Sequence, residues 1–221
     1  MTLPQTPREM TNRLHGMFLP AYLTLMSVIG GVALAALTGE VQARRLQNTI
    51  TPTQWILVLA TYLLYLAISN EYVMGVVIYA WFPSLLDAAF PFAWLIVELI
   101  LCYTIFGGVR GYLLAFAIAV AMGPLNYLHI SLRVRRSHED QLVSHRRLRG
   151  YRRFRFFVGP AIFLAILLLA WGFYDVAGLG MYETAVATVI LVMVVVVLAS
   201  SVPYWNIVLN YARSDASHQR G

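Results

Sequence analysis

Six apolar runs, each close to the length a helix needs to cross a bilayer, take up most of this 221-residue chain. A helix rises about 1.5 Å per residue and the hydrocarbon layer is about 30 Å thick, so about 20 consecutive apolar residues span it. Such runs leave few alternatives. In water each would have to be buried, and a chain that is 60% hydrophobic and 12% charged has too little polar surface to cover them. In lipid the backbone polar groups must be paired within secondary structure, which makes the runs helices. The expected fold class is therefore all-α, a polytopic integral membrane bundle of six transmembrane helices. It forms a single domain over residues 1–221, with no room for a separate soluble one.

The spans are expected at about 17–37, 55–81, 85–106, 112–130, 156–177 and 184–204. The first follows a polar tail with Pro4, Pro7, Arg8 and Arg13, and its core exceeds the roughly 7 to 15 residues of a cleaved signal peptide. Gly39 to Gln54 reads as the first polar loop. The second span has Trp55 and Trp81 near its ends, the pattern of aromatic side chains anchored at headgroup depth. Phe82, Pro83 and Ser84 make a short turn into the third span, where Pro91 marks a kink. Gly107, Gly108 and Gly111 turn the chain into the fourth, with Gly123 and Pro124 breaking its regularity near the exit. The helix of the sixth span is expected to continue past Asn210.

Charge fixes the expected orientation. All 16 basic residues are Arg. An even number of spans puts both termini on one side, together with Arg8, Arg13, Arg213, Arg220 and the nine arginines of the 131–155 loop. Only Arg44, Arg45 and Arg110 fall opposite. Short cytoplasmic loops collect Arg, so both termini and the basic loop are expected in the cytoplasm, in a cell (cytoplasmic) membrane. The same loop suits contact with anionic lipid headgroups, whereas it has no nucleic-acid-binding fold. A chain this small often works as a homo-oligomer.

Against this apolar background the acidic residues stand out. An ionised carboxylate at the bilayer centre costs roughly 2.5 to 3.5 kcal/mol on insertion scales, so it normally faces a protein interior or a wet cavity. Glu71 lies in the second span, Asp87 and Glu98 in the third. Asp87, Pro91, Trp94, Glu98 and Cys102 are spaced by three or four residues and share one helix face, which no lipid-facing pattern would produce. Ala67 and Gly75 bracket Glu71 on its own face, small residues that let helices approach closely. Counting from the short turn that joins the two spans, Glu71 and Glu98 fall at similar depth. Two carboxylates that close in a low dielectric resist being ionised together, a property suited to proton coupling, cation binding or acid catalysis. The plainer alternative is that each is hydrogen-bonded to a neighbouring helix as packing glue. Asn126, His129, Asn206 and Asn210 cluster near the expected cytoplasmic boundary and, with Asp87, would form a polar vestibule. The lone Cys102 excludes an internal disulfide and reads as a core residue. No metal site, cofactor motif, phosphate-binding loop, serine-nucleophile elbow or Schiff-base Lys is present.

Asn70-Glu71, followed by Glu98 within Phe92-Ala-Trp94-Leu-Ile-Val-Glu98, resembles the paired acidic helices of integral-membrane terpene cyclases over about fifty residues. That family has a Trp directly before the first acid, where this chain has Asn70. The resemblance implies an enzyme in which one carboxyl of the pair Glu71 and Glu98 protonates a lipid-soluble polyprenyl substrate and the other removes the final proton. The leading expectation is instead a small transporter or channel binding a proton or cation at Glu71 and Glu98, with Asp87, Trp94, Asn126, His129 and Asn206 along its path. A third is an accessory subunit whose buried acids contact a partner span.

Overall fold

A computed structural model describes the backbone over residues 7–78, 85–134, 164, 165, 167, 168, 171 and 182–218. Side chains are described over 20–71, 73, 89–125, the same five isolated positions, 182–202 and 206. Among the described residues the regular structure is helical throughout. The helices are α1 (Pro7–Leu46), α2 (Pro52–Ile78), α3 (Leu85–Thr104), α4 (Val109–Val134) and α5 (Glu183–His218). Three stretches are long and apolar enough to cross a membrane, Pro20–Leu46, Pro52–Glu71 and Glu183–Val202, and shorter apolar helices cover Ala89–Thr104 and Val109–Leu125. This is the make-up of a membrane protein. The expected fifth span, the basic loop and the turn at 82–84 lie largely or wholly outside the described residues.

The first polar loop is shorter than its composition suggests, because α1 continues through Gly39 to Leu46. Glu40 and Arg44 stand one turn apart and approach to 3.9 Å, and Arg44 and Arg45 complement the negative end of the helix dipole. Asn48 then leaves the helix at φ 52°, a left-handed conformation that Asn tolerates. The start of α2 is equally specified. Thr51 Oγ1 accepts from the Gln54 N–H at 3.3 Å while Gln54 Oε1 accepts from the Thr51 N–H at 2.9 Å, a reciprocal cap with Pro52 at the first helical position. Helix α4 runs on through Gly123 and Pro124 to Val134 instead of breaking there. In lipid the backbone has no water to turn to, so a single proline is more cheaply absorbed than a chain break.

Contacts between elements give their directions. Thr38 pairs with Tyr62 at 2.8 Å, and Gly30 faces Ser69, so α1 and α2 are antiparallel. Ala33 meets Cys102, and the Arg44 guanidinium lies 4.7 Å from the Phe106 ring centre, so α3 runs parallel to α1. The turn after α3 needs Gly108, whose φ of 106° a side chain would strain, and it sends α4 back antiparallel. Thr53 and Thr184 join the first turns of α2 and α5 at 2.8 Å. Their facing residues advance together from there, so these two run parallel. The shared core includes Leu57, Tyr65, Leu101, Tyr112, Phe116 and Ile190, while Phe92, Ile96, Val192, Val196 and Val202 are exposed. Outward faces as apolar as the core are what lipid, not water, accommodates.

Candidate functional site

Helix α3 presents its predicted stripe inward. Pro91, Trp94, Glu98 and Cys102 are buried, whereas Phe92, Ile96, Ile100 and Tyr103 on the opposite face are exposed. Asp87 starts the stripe in the first turn of α3, but its side chain lies outside the described residues. Glu98 is 2% exposed and Trp94 5%. The Glu98 Oε2 and the Trp94 Nε1 are both buried without a hydrogen-bond partner. Residues one turn apart on a helix have Cβ atoms about 5–6 Å apart, so Trp94 and Glu98 are neighbours on this face. Natural interiors leave few polar atoms unsatisfied, and each exception calls for an explanation.

The backbone behind this pair is tied down from two other helices. Tyr65 of α2 donates its hydroxyl proton to the Glu98 carbonyl at 2.6 Å. With that proton committed, the Cys102 thiol is shared between the Tyr65 oxygen at 2.9 Å and the Ala33 carbonyl of α1 at 3.7 Å. Helices α1, α2 and α3 thus meet at one polar junction. A turn away along α2, Thr61 donates to the Leu57 carbonyl at 2.8 Å, which leaves the Tyr112 hydroxyl of α4 to donate to Thr61 at 2.8 Å. The composition already held a signal for these partners. Tyr62 and Tyr65 lie mid-span instead of at an interface, and a phenol there must find a partner.

Glu71 is half-buried on α2, one turn beyond Ala67–Ile68 of the core. Because Tyr65 is level with the turn from Glu98 to Cys102 and α2 opposes α3, both carboxyls lean toward a common depth. No hydrogen bond joins them among the described residues. Asn206 is exposed on α5, and the side chains of Asn126, His129 and Asn210 lie outside the described residues. The vestibule predicted from these four therefore has one described member, and that one faces outward.

An open cleft of about 490 Å³ lies between α2 and α5, lined by Leu63, Leu66 and Asn70 on one side and Val195, Leu198 and Ser201 on the other. Neither Glu71 nor Glu98 lines it. Among the described residues no three His, Cys, Asp or Glu side chains gather as metal ligands. No protein-family model, curated protein or solved structure matches the chain.

Proposed function

We propose that this chain is a small six-span transporter or channel of the cytoplasmic membrane, with both termini and the 131–155 loop in the cytoplasm and Glu98 as its proton- or cation-binding carboxyl. The observation that carries the reading is Glu98 itself, 2% exposed with an unpartnered Oε2 on the packed face of α3. Packing glue would show a partner from a neighbouring helix, and here the neighbour, Tyr65, bonds the backbone carbonyl instead of the carboxyl. Half-buried Glu71, at similar depth on α2, is the second station on the route.

The span count has independent support. Helix α4 is antiparallel to α3 and so parallel to α2, and α5 is also parallel to α2. A chain that leaves α4 at one end and enters α5 at the other needs a return crossing, which the span expected at 156–177 would supply. The arginine asymmetry then orients the bundle. The nine arginines of the 131–155 loop would lie among anionic headgroups.

Purified protein in vesicles tests the function. Glu98→Gln should abolish proton or cation flux in a protein that remains folded and inserted, and Glu71→Gln should slow it. Undiminished flux in both variants would overturn the reading. Orientation is tested by cysteine labelling on whole cells: Tyr182→Cys should react from outside and Ser214→Cys should not.

A further inference from the structure

Glu98 and Trp94 differ in what they ask of a ligand, and the difference discriminates between the two species the proposed function allows. A carboxylate oxygen accepts hydrogen bonds or binds a cation. An indole N–H only donates, so it needs an acceptor. Both atoms are buried, both lack a protein partner, and they lie one turn apart on the same face of α3. A bare metal ion at Glu98 would leave the indole N–H unpaired and would sit beside its positive edge. It would also find few oxygens, because no cluster of acidic, His or Cys ligands forms among the described residues. The carbonyl freed by Pro91, that of Asp87, lies about 16 Å away along the helix, too far to share an ion with Glu98.

One small group satisfies both atoms. We infer that Trp94 and Glu98 jointly hold a single water molecule, and that the species this site passes is a proton on that water and not a metal cation. This rests on the transport reading above. The water accepts from Trp94 Nε1–H whichever form Glu98 is in. When Glu98 is ionised the water donates to Oε2. When an excess proton reaches this water, one O–H bond of the resulting hydronium breaks as the O–H bond forms at Oε2. The neutral water then turns, and its second lone pair accepts from the new carboxyl O–H. Onward release breaks the Oε2–H bond and restores the carboxylate with its water, so atoms and charge balance over the cycle.

The titratable groups whose hydrogen bonds are described around Glu98 are engaged elsewhere. From α2, Tyr65 has its proton on the Glu98 carbonyl, and on α3 the Cys102 thiol is divided between Tyr65 and Ala33. Tyr112 of α4 donates to Thr61. Helix α1 contributes the Ala33 carbonyl, and Glu98 has no ion-pair partner among the described residues. The indole is a positioning group. It fixes the water and leaves the proton transfer to Glu98.

The test is flux into vesicles containing a pH-sensitive dye, run with a proton gradient and separately with Na⁺, K⁺ or Ca²⁺ gradients and ion-selective dyes. The expected result is proton flux abolished in Glu98→Gln and lowered about tenfold in Trp94→Phe, which keeps an aromatic ring and removes the donor, the equivalent of one hydrogen bond lost. Metal gradients should drive no Glu98-dependent flux. Metal flux that Glu98→Gln abolishes would overturn the inference while leaving the transport reading standing, and so would full proton flux in Trp94→Phe. Failure of every gradient to drive Glu98-dependent flux would overturn both. A measurement on the unaltered protein guards against misfolding of Trp94→Phe. The infrared carboxyl band identified by its loss in Glu98→Gln should shift within seconds of exchange into D₂O, and a band unmoved for hours would overturn the bound water.

Discussion

The Tyr65 hydroxyl donates to the backbone carbonyl of Glu98 at 2.6 Å, across the interface of α2 and α3. That carbonyl is also the one to which the helical N–H of residue 102 is directed, so Tyr65 adds a second bond to a group already paired within its own helix. The bond positions α3 without touching the carboxyl. Scaffold and chemistry are thus divided at one residue: the main chain of Glu98 belongs to the junction, and its side chain is left for a ligand.

Tyr65→Phe should consequently be a mild change. It removes a hydroxyl but orphans no carbonyl, and intramembrane hydrogen bonds average about 0.6 kcal/mol, so a loss of about 1 kcal/mol or less is expected. Unfolding in mixed detergent micelles measures it, and a loss of several kcal/mol would show that the junction is a principal source of stability.

Thr61 and Tyr112 should behave differently. Thr61→Val leaves the Tyr112 hydroxyl, on a residue with 0% exposure, without its acceptor, at a cost of about 1–3 kcal/mol. Adding Tyr112→Phe removes the stranded group as well. The double variant should therefore be more stable than Thr61→Val alone, and the same unfolding assay gives the coupling.

Replacing Glu98 by Leu should separate stability from function. An apolar side chain at this site escapes the burial of an unpartnered carboxyl, so the variant should unfold at a higher temperature, by the equivalent of about 1–3 kcal/mol, while losing all flux. A less stable Glu98→Leu would mean that the carboxyl holds the helices together.

Cys102 offers a probe that needs no substitution. It is the single cysteine and has no exposed surface. In intact membranes a water-soluble maleimide should leave it unmodified, and it should label fully once the protein is denatured in SDS. Mass spectrometry reads both states.

What the amino-acid order settled unaided is the class of the molecule and the faces of its helices. Apolar runs of bilayer length admit one secondary structure in lipid, and the spacing of Pro91, Trp94, Glu98 and Cys102 placed them on one face whatever that face packed against. Helix ends were less legible. Gly39 and Glu40 look like the start of a loop, but the Glu40–Arg44 pair and two terminal arginines carry α1 on to Leu46, a balance of small energies that composition does not reveal.

Tertiary structure alone decided which polar atoms find each other. Similar depth for Glu71 and Glu98 follows from counting residues, but contact between them depends on the rotation of α2 about its axis, and no hydrogen bond joins them among the described residues. The same rotation turns Tyr65 toward α3 and Thr61 toward α4. A periodic pattern specifies a face, whereas a partner on another helix depends on the pairwise fit of distant side chains, which is why Trp94 and Glu98 could be named from the chain and their unsatisfied atoms could not.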